Sequence, residues 1–184
     1  MSFDFGIIQE YWQLILSGIP IILLIAFICA ILGTVIGLLC TLLRKTNGIG
    51  QIIVSAYIDI FRGTPVYVQL YVVYYGIPSL FSGLNINSFA ACIIVFALNS
   101  GAYLSEIIRA GVESIDRGQI EAAKALGVKK KDIAFDIIIP QAFRNCLPAV
   151  VNEFITLTKE IENNDERYAS MYEIRYNITV AIGK

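Results

Sequence analysis

The stretch that decides the fold is YWQLILSGIPIILLIAFICAILGTVIGLLCTLL, Tyr11 to Leu43, 33 residues without a charge. A helix of about 20 residues crosses a hydrocarbon core about 30 Å thick, so this run holds one span with room to spare. Pro20 suits a first helical turn, where its missing N–H costs nothing, and Arg44-Lys45 marks the other end. The span is expected over Pro20 to Leu43. Gly33 and Gly37 form a small-xxx-small face that permits close helix packing; a kink or plain lipid contact fits the same pair.

The composition agrees. Of 184 residues, 57% are apolar and 16% charged, with no histidine and a net charge of −1. Soluble domains average about 45–50% apolar and about 25% charged. A soluble domain this short would struggle to hide so much apolar side chain, whereas a bilayer solvates it. The missing histidine excludes His-ligated metals, Ser-His-Asp and Cys-His triads and imidazole proton relays. A near-neutral balance argues against nucleic-acid binding. Cys29, Cys40, Cys92 and Cys146 are isolated in apolar stretches and read as small buried hydrophobes rather than a disulfide framework or metal site. No metal centre and no catalytic residue is expected. Asp4 and Glu10 precede the first span and no Lys or Arg occurs before Arg44, so a signal peptide's basic region is lacking and the segment is expected to stay.

A second uncharged stretch, Gly63 to Ser105, is 43 residues long, too long for one span. Its middle, residues 82–88, is rich in breakers, which predicts a hairpin of two helices over about Arg62 to Phe81 and Asn87 to Ile108. Asp59/Arg62 and Glu106/Arg109 are i,i+3 pairs at the ends opposite the turn, suited to mutual neutralisation and snorkelling at the inner boundary. Residues 109–136 turn polar. A fourth, less apolar segment follows, Ile133 to Thr158, with Pro140, Arg144, Pro148 and Glu153; the prolines fit a cavity-lining break or simple kinks. From Lys159 the composition changes again, with eight charges in the 17 residues to Arg175.

Orientation follows from the basic residues. Residues 1–43 and the 82–88 turn hold none, residues 44–62 hold three and residues 109–131 hold six. The positive-inside rule puts the N-terminus and that turn outside and both basic loops in the cytoplasm. In the second loop, Gly118 to Leu126 reads as a short helix and Gly127 as its left-handed end. Ala122 and Ala123 offer a low-profile face to another protein, beside the Glu121/Lys124 pair. An amphipathic helix on the membrane surface fits the same residues.

The spacing Glu121-Ala122-Ala123, Gly127, Ile137, Pro140 resembles the E-A-A-x3-G-x9-I-x-L-P signature of ABC-importer permease subunits, with Ile139 in the Leu position. Other segments resemble the polar amino-acid branch: Arg62-Gly63-Thr64-Pro65 with Gln69-Leu70, Ala97 to Tyr103, Gly118-Gln119 and Asn152 to Ile155. The resemblance covers about Leu14 to Lys159. It implies an all-α polytopic bundle in a bacterial plasma (inner) membrane, in which the short helix docks on a separate ATPase subunit. The coupling residues would be Glu121, Ala122, Ala123, Gly127 and Pro140. No G-x-x-x-x-G-K-[ST] occurs, so the chain has no ATP cradle of its own; ATP would be bound by the partner, and this chain would be a permease rather than an enzyme. Further partners implied are an extracellular or periplasmic substrate-binding protein, a second permease copy or paralogue, and membrane lipid. Its task would be alternating access, a rigid-body switch between packed states.

Polar groups at membrane depth are the default candidates for a substrate path: Gln69, Asn99, Arg144 and Glu153. Glu153 would suit an amino acid's ammonium. The same residues fit bonds to neighbouring helices. Arg62, with Glu106 and Arg109, reads as an inner-boundary or gate residue. The family pattern continues with a fifth hydrophobic helix that is not recognisable here. The expected organisation is therefore four spans over residues 1–159 and an atypical polar tail over 160–184, disordered or a loose surface helix. The rival reading is a truncated, non-transporting subunit that binds the ATPase or plays a structural role. A secondary carrier is weaker, because no chain of buried carboxylates is evident.

Overall fold

The computed structural model describes the backbone of residues 6–45, 48–81 and 83–182, and side chains within 19–161. All regular structure among these residues is helical: α1 Gly6–Leu43, α2 Ile49–Gly63, α3 Val66–Tyr71, a π-turn Val72–Gly76, α4 Ile77–Leu80, α5 Ser88–Glu113, α6 Arg117–Ala125, α7 Lys130–Asp132, a second π-turn Ile133–Ile138 and α8 Ile139–Ile182. The helix α5 is central, packed against α1 and α8 over most of its length and against α2 and α3 on another side.

The first span differs from expectation at its start. Pro20 lies inside α1, not in its first turn. Residues 6–19 contain no helix breaker beyond Gly6 and Gly18, so the helix begins upstream and accepts the proline's lost hydrogen bond. Residues Ile19–Leu43 have a mean hydropathy of 3.0 and are long enough to cross a membrane, as is α5.

The Gly33/Gly37 face is the seam between α1 and α5. A Cβ on Gly37 would lie 3.0 Å from the backbone nitrogen of Ser105, and one on Gly101 would lie 2.6 Å from Ile36 Cγ2. Close approach lets the Thr41 hydroxyl donate to the Ser105 carbonyl at 3.3 Å. Beside this seam the core gathers Ile25, Ala26, Cys29, Leu70, Val95, Phe96, Leu157 and Ile161.

Residues 49–61, expected as loop, form most of α2. Its apolar side is split: Val54 and Ile58 are buried, whereas Ile49, Ile52, Ile53 and Ile60 are exposed. The second crossing therefore starts at Ile49, 13 residues before the expected Arg62; α2 and the helical run from Val66 to Leu80 share it, separated by extended Thr64 and Pro65. Pro65 enforces the break, since the residue before a proline is driven out of the helical region. The turn to α5 is as expected, with Gly83 at φ +100° and Asn87 capping α5 through Ala90 N at 2.7 Å. Ser82 lies outside the described residues.

The fourth segment continues without interruption. The backbone of α8 stays helical through Pro148 to Ile182, because no Gly or Pro follows Pro148 before Gly183. The core extends past the expected boundary at 159, since Ile161 is only 2% exposed. The charged side chains from Glu162 onward lie outside the described residues.

Candidate functional site

Two regions carry the expected site residues. The first is α6 and its flanks. Asp116 caps the helix, its Oδ1 accepting from Gly118 N at 2.7 Å. The far end is a Schellman turn: Val128 N donates to Ala123 O and Gly127 N to Lys124 O, both at 3.0 Å. Gly127 sits at φ +78°, where L-residues are strained. Hydrogen bonds from Gln141 to Gln119 and from Asn145 to Ser114, each 2.8 Å, tie this unit to α8.

Glu121 and Ala122 face outward, but Ala123 is 6% exposed. The face expected from both alanines is thus made by Ala122 alone, because Ala123 lies on the buried side of α6. Among the described residues Glu121 and Lys124 form no ion pair within 4.0 Å. Leu126 was missed by sequence reasoning, yet it is 83% exposed; the signal was its place just before the glycine that ends the helix. Pro140 is exposed on the first turn of α8.

Glu106 and Arg109 pair as expected, with Arg109 Nη2 to Glu106 Oε2 at 2.6 Å and Arg109 Nη1 to Glu113 Oε2 at 2.6 Å. Arg44, at the end of α1, also donates to Glu106. One carboxylate therefore joins the residue that follows α1 to the inner part of α5. The Asp59/Arg62 pair does not form among the described residues. Instead the Arg62 guanidinium lies 5.2 Å from the centroid of the Tyr103 ring. Tyr103 is three residues before Glu106, about 4.5 Å along the helix, so Arg62 sits about one turn deeper along α5 than the Glu106–Arg109 pair. The shift follows from α2, which starts the crossing earlier in the chain.

The second region is a cavity of about 500 Å³ between α1, α5 and α8, lined by Phe27, Thr34, Ser100, Glu153, Phe154 and Leu157 among others. It is mostly apolar. Glu153 is half-buried in it, with Arg62 and Glu160 as its charged neighbours. The buried Ser100 hydroxyl lies beside the Glu153 carboxylate and meets no group in hydrogen-bond geometry among the described residues. Arg144, by contrast, is exposed and nine residues from Glu153 on α8, so the structure does not bring these two together. Gln69 and Asn99 do meet, at 3.2 Å, and their amide donors engage the backbone at the α2–α3 break. No group of metal-binding residues occurs among the described residues.

Comparison with known proteins matches this architecture. Residues 33–161 match the family described as "Binding-protein-dependent transport system inner membrane component". The chain is 45% identical over 161 residues to the arginine transport system permease protein ArtQ of Bacillus subtilis, covering 87% of this chain and 73% of that protein. It is 45% identical over 147 residues to a putative glutamine transport system permease protein GlnP of Rickettsia prowazekii, covering 79% and 67%. Among solved structures, an amino acid ABC transporter crystallised with histidines superposes with a TM-score of 0.80 at 40% identity, covering 88% of this chain and 75% of that one. A long apolar first span, a broken second crossing, and an outward short helix ending at a left-handed glycine thus coincide with an extended match: this chain belongs to the inner membrane components of binding-protein-dependent transport systems, and is a permease of the ABC-importer type.

Proposed function

We propose that the chain imports a polar amino acid, coupled through α6 to a separate ATP-hydrolysing subunit. The observation that carries this reading is α6 itself. Glu121, Ala122 and Leu126 face outward while a cap, a Schellman turn and two side-chain bonds hold the helix rigidly to α5 and α8. A rigid, outward helix transmits a partner's displacement to the bundle as a body. The relatives' names, arginine and glutamine permeases, support the substrate class.

In this reading the 82–88 turn and the N-terminus face outside, and α6 faces the cytoplasm, where the partner binds ATP. A binding protein delivers substrate from outside, and a second copy or paralogue completes the membrane unit. Glu153 and Ser100 meet the ammonium in the cavity, Gln69 and Asn99 contribute through the broken helix, and Glu106, Arg109 and Arg62 govern closure. Arg144, exposed on α8, has the weakest support as a path residue.

The test is uptake of radiolabelled L-arginine and L-glutamine by proteoliposomes holding the full chain with its ATPase subunit and binding protein. Uptake that requires ATP and all components is expected. ATP-dependent association without uptake of either amino acid would favour the non-transporting alternative.

A further inference from the structure

The break between α2 and α3 leaves a specific deficit. In a continuous helix the Phe61 carbonyl would accept from the N–H four residues on. That residue is Pro65, which has no N–H. Two side-chain amides take its place. Gln69 Nε2 donates to Phe61 O at 2.9 Å, and Asn99 Nδ2 donates to the same oxygen at 3.2 Å. Gln69 Nε2 also reaches Thr64 O at 3.0 Å and Thr64 Oγ1 at 2.9 Å. Asn99 Nδ2 donates in turn to Gln69 Oε1 at 3.2 Å. Both amides are almost fully buried, 9% and 6% exposed. Phe61 is therefore held from α3 and α5 at once, and Thr64 from α3.

Arg62 lies between the two held residues. It is exposed, no carboxylate lies within 4.0 Å of it among the described residues, and its guanidinium rests on Tyr103, one turn beyond Asn99 on α5. An arginine without a salt bridge, about one turn deeper along α5 than the Glu106–Arg109 pair, belongs in a water-filled passage and not against lipid. Glu153 of α8 is a carboxyl neighbour of Arg62.

We propose that Gln69 and Asn99 are positioning residues for transport: they replace the hydrogen bond Pro65 cannot make, fix the α2–α3 break, and so set Arg62 over Tyr103 in the passage. Its transport arm rests on the import reading above; its labelling arm does not.

The labelling arm uses the full chain with its native cysteines replaced and Arg62→Cys introduced. The rate of modification by a charged, impermeant methanethiosulfonate is read with and without Gln69→Met. A change of at least fivefold at position 62, with no change at a Lys45→Cys control, is expected. Equal rates at position 62 would overturn the proposal. Gln69→Glu, which keeps the shape and the acceptor for Asn99 but loses the amide donors, serves if Gln69→Met does not accumulate.

The transport arm is a double-mutant cycle on L-arginine and L-glutamine uptake by the complete transporter. Arg62→Met and Gln69→Met should each lower uptake about tenfold, and the double variant no further than Arg62→Met alone. A roughly hundredfold loss in the double variant would show that Gln69 acts independently of Arg62 and overturn the proposal. If the unmodified transporter moves neither amino acid, the import reading fails and the labelling arm alone decides.

Discussion

Gly33 of α1 lies so close to Ser100 of α5 that a Cβ on the glycine would sit 3.0 Å from both the Cβ and the hydroxyl oxygen of the serine. One turn on, a Cβ at Gly37 would press against the Ser105 backbone at the same distance. Backbone cannot step aside as a flexible side chain can, so the second contact is the stricter one. The α1–α5 seam is thus set by what two residues lack.

Gly37→Val should therefore destabilise the bundle by about 1–3 kcal/mol through overpacking. Gly63→Ala, where an added Cβ meets nothing within 4 Å, should stay within about 0.5 kcal/mol. Thermal unfolding in detergent compares the two. Equal melting temperatures would mean that the seam gives way more easily than its geometry implies.

At the end of α6, Gly127→Ala and Gly127→Asp should each cost about 1–2 kcal/mol locally, because φ is +78° and a side chain is strained there. Nothing lies within 4 Å of the added Cβ, so the effect is conformational rather than steric. Insertion should be unaffected, while co-purification with the ATPase subunit falls. Full association of both variants would remove α6 as the docking element.

Glu106 accepts from both Arg44 and Arg109 and is mostly shielded, its side chain 15% exposed. Glu106→Gln leaves two guanidinium groups facing a neutral amide and should cost about 1.5–3 kcal/mol. Arg44→Met should cost less, since Arg109 still pairs with Glu106. Denaturation of the single and double variants gives the coupling; strictly additive losses would show that the α1–α5 tie is incidental.

Much of this architecture was legible because it depends on local residue types. The uncharged run before Arg44 marks the end of α1, although not its start at Gly6, the breakers at 82–88 mark the turn, and Gly127 marks the end of α6. Helix α2 was not legible, because its isoleucines point both inward and outward and its crossing is completed only after a proline. The place of Gln69 and Asn99 was hidden for a related reason. Their amide donors answer a carbonyl freed by Pro65, and the clue was the proline four residues after Phe61 rather than any feature of the amides. That Arg62 rests on Tyr103 instead of pairing with Asp59 follows from the same break and is a tertiary fact.

The nine-to-zero basic asymmetry predicts the topology. Single cysteines at Lys45, Asn85 and Lys130 of a cysteine-free chain are exposed to an impermeant reagent in intact cells. Position 85 alone should be labelled. Labelling at 130 but not at 85 would invert the protein and place α6 on the wrong side for a cytoplasmic ATPase.

Glu153 separates a transport role from a packing role. It lines a mostly apolar cavity beside the buried Ser100 hydroxyl, where no cation lies within 4.0 Å of the carboxylate among the described residues. A carboxylate without a paired cation costs more to bury than a neutral amide of the same shape. Glu153→Gln should therefore keep or raise the melting temperature. If the carboxylate holds a substrate ammonium, the lost charge-assisted bond is worth about 1.5–3 kcal/mol, which corresponds to roughly a ten- to hundredfold loss of L-arginine or L-glutamine uptake. A structural role predicts the reverse pattern, a lower melting temperature with uptake per folded molecule preserved. Uptake and thermal unfolding of the same preparation decide between them, and undiminished uptake in Glu153→Gln would remove this carboxylate from the path.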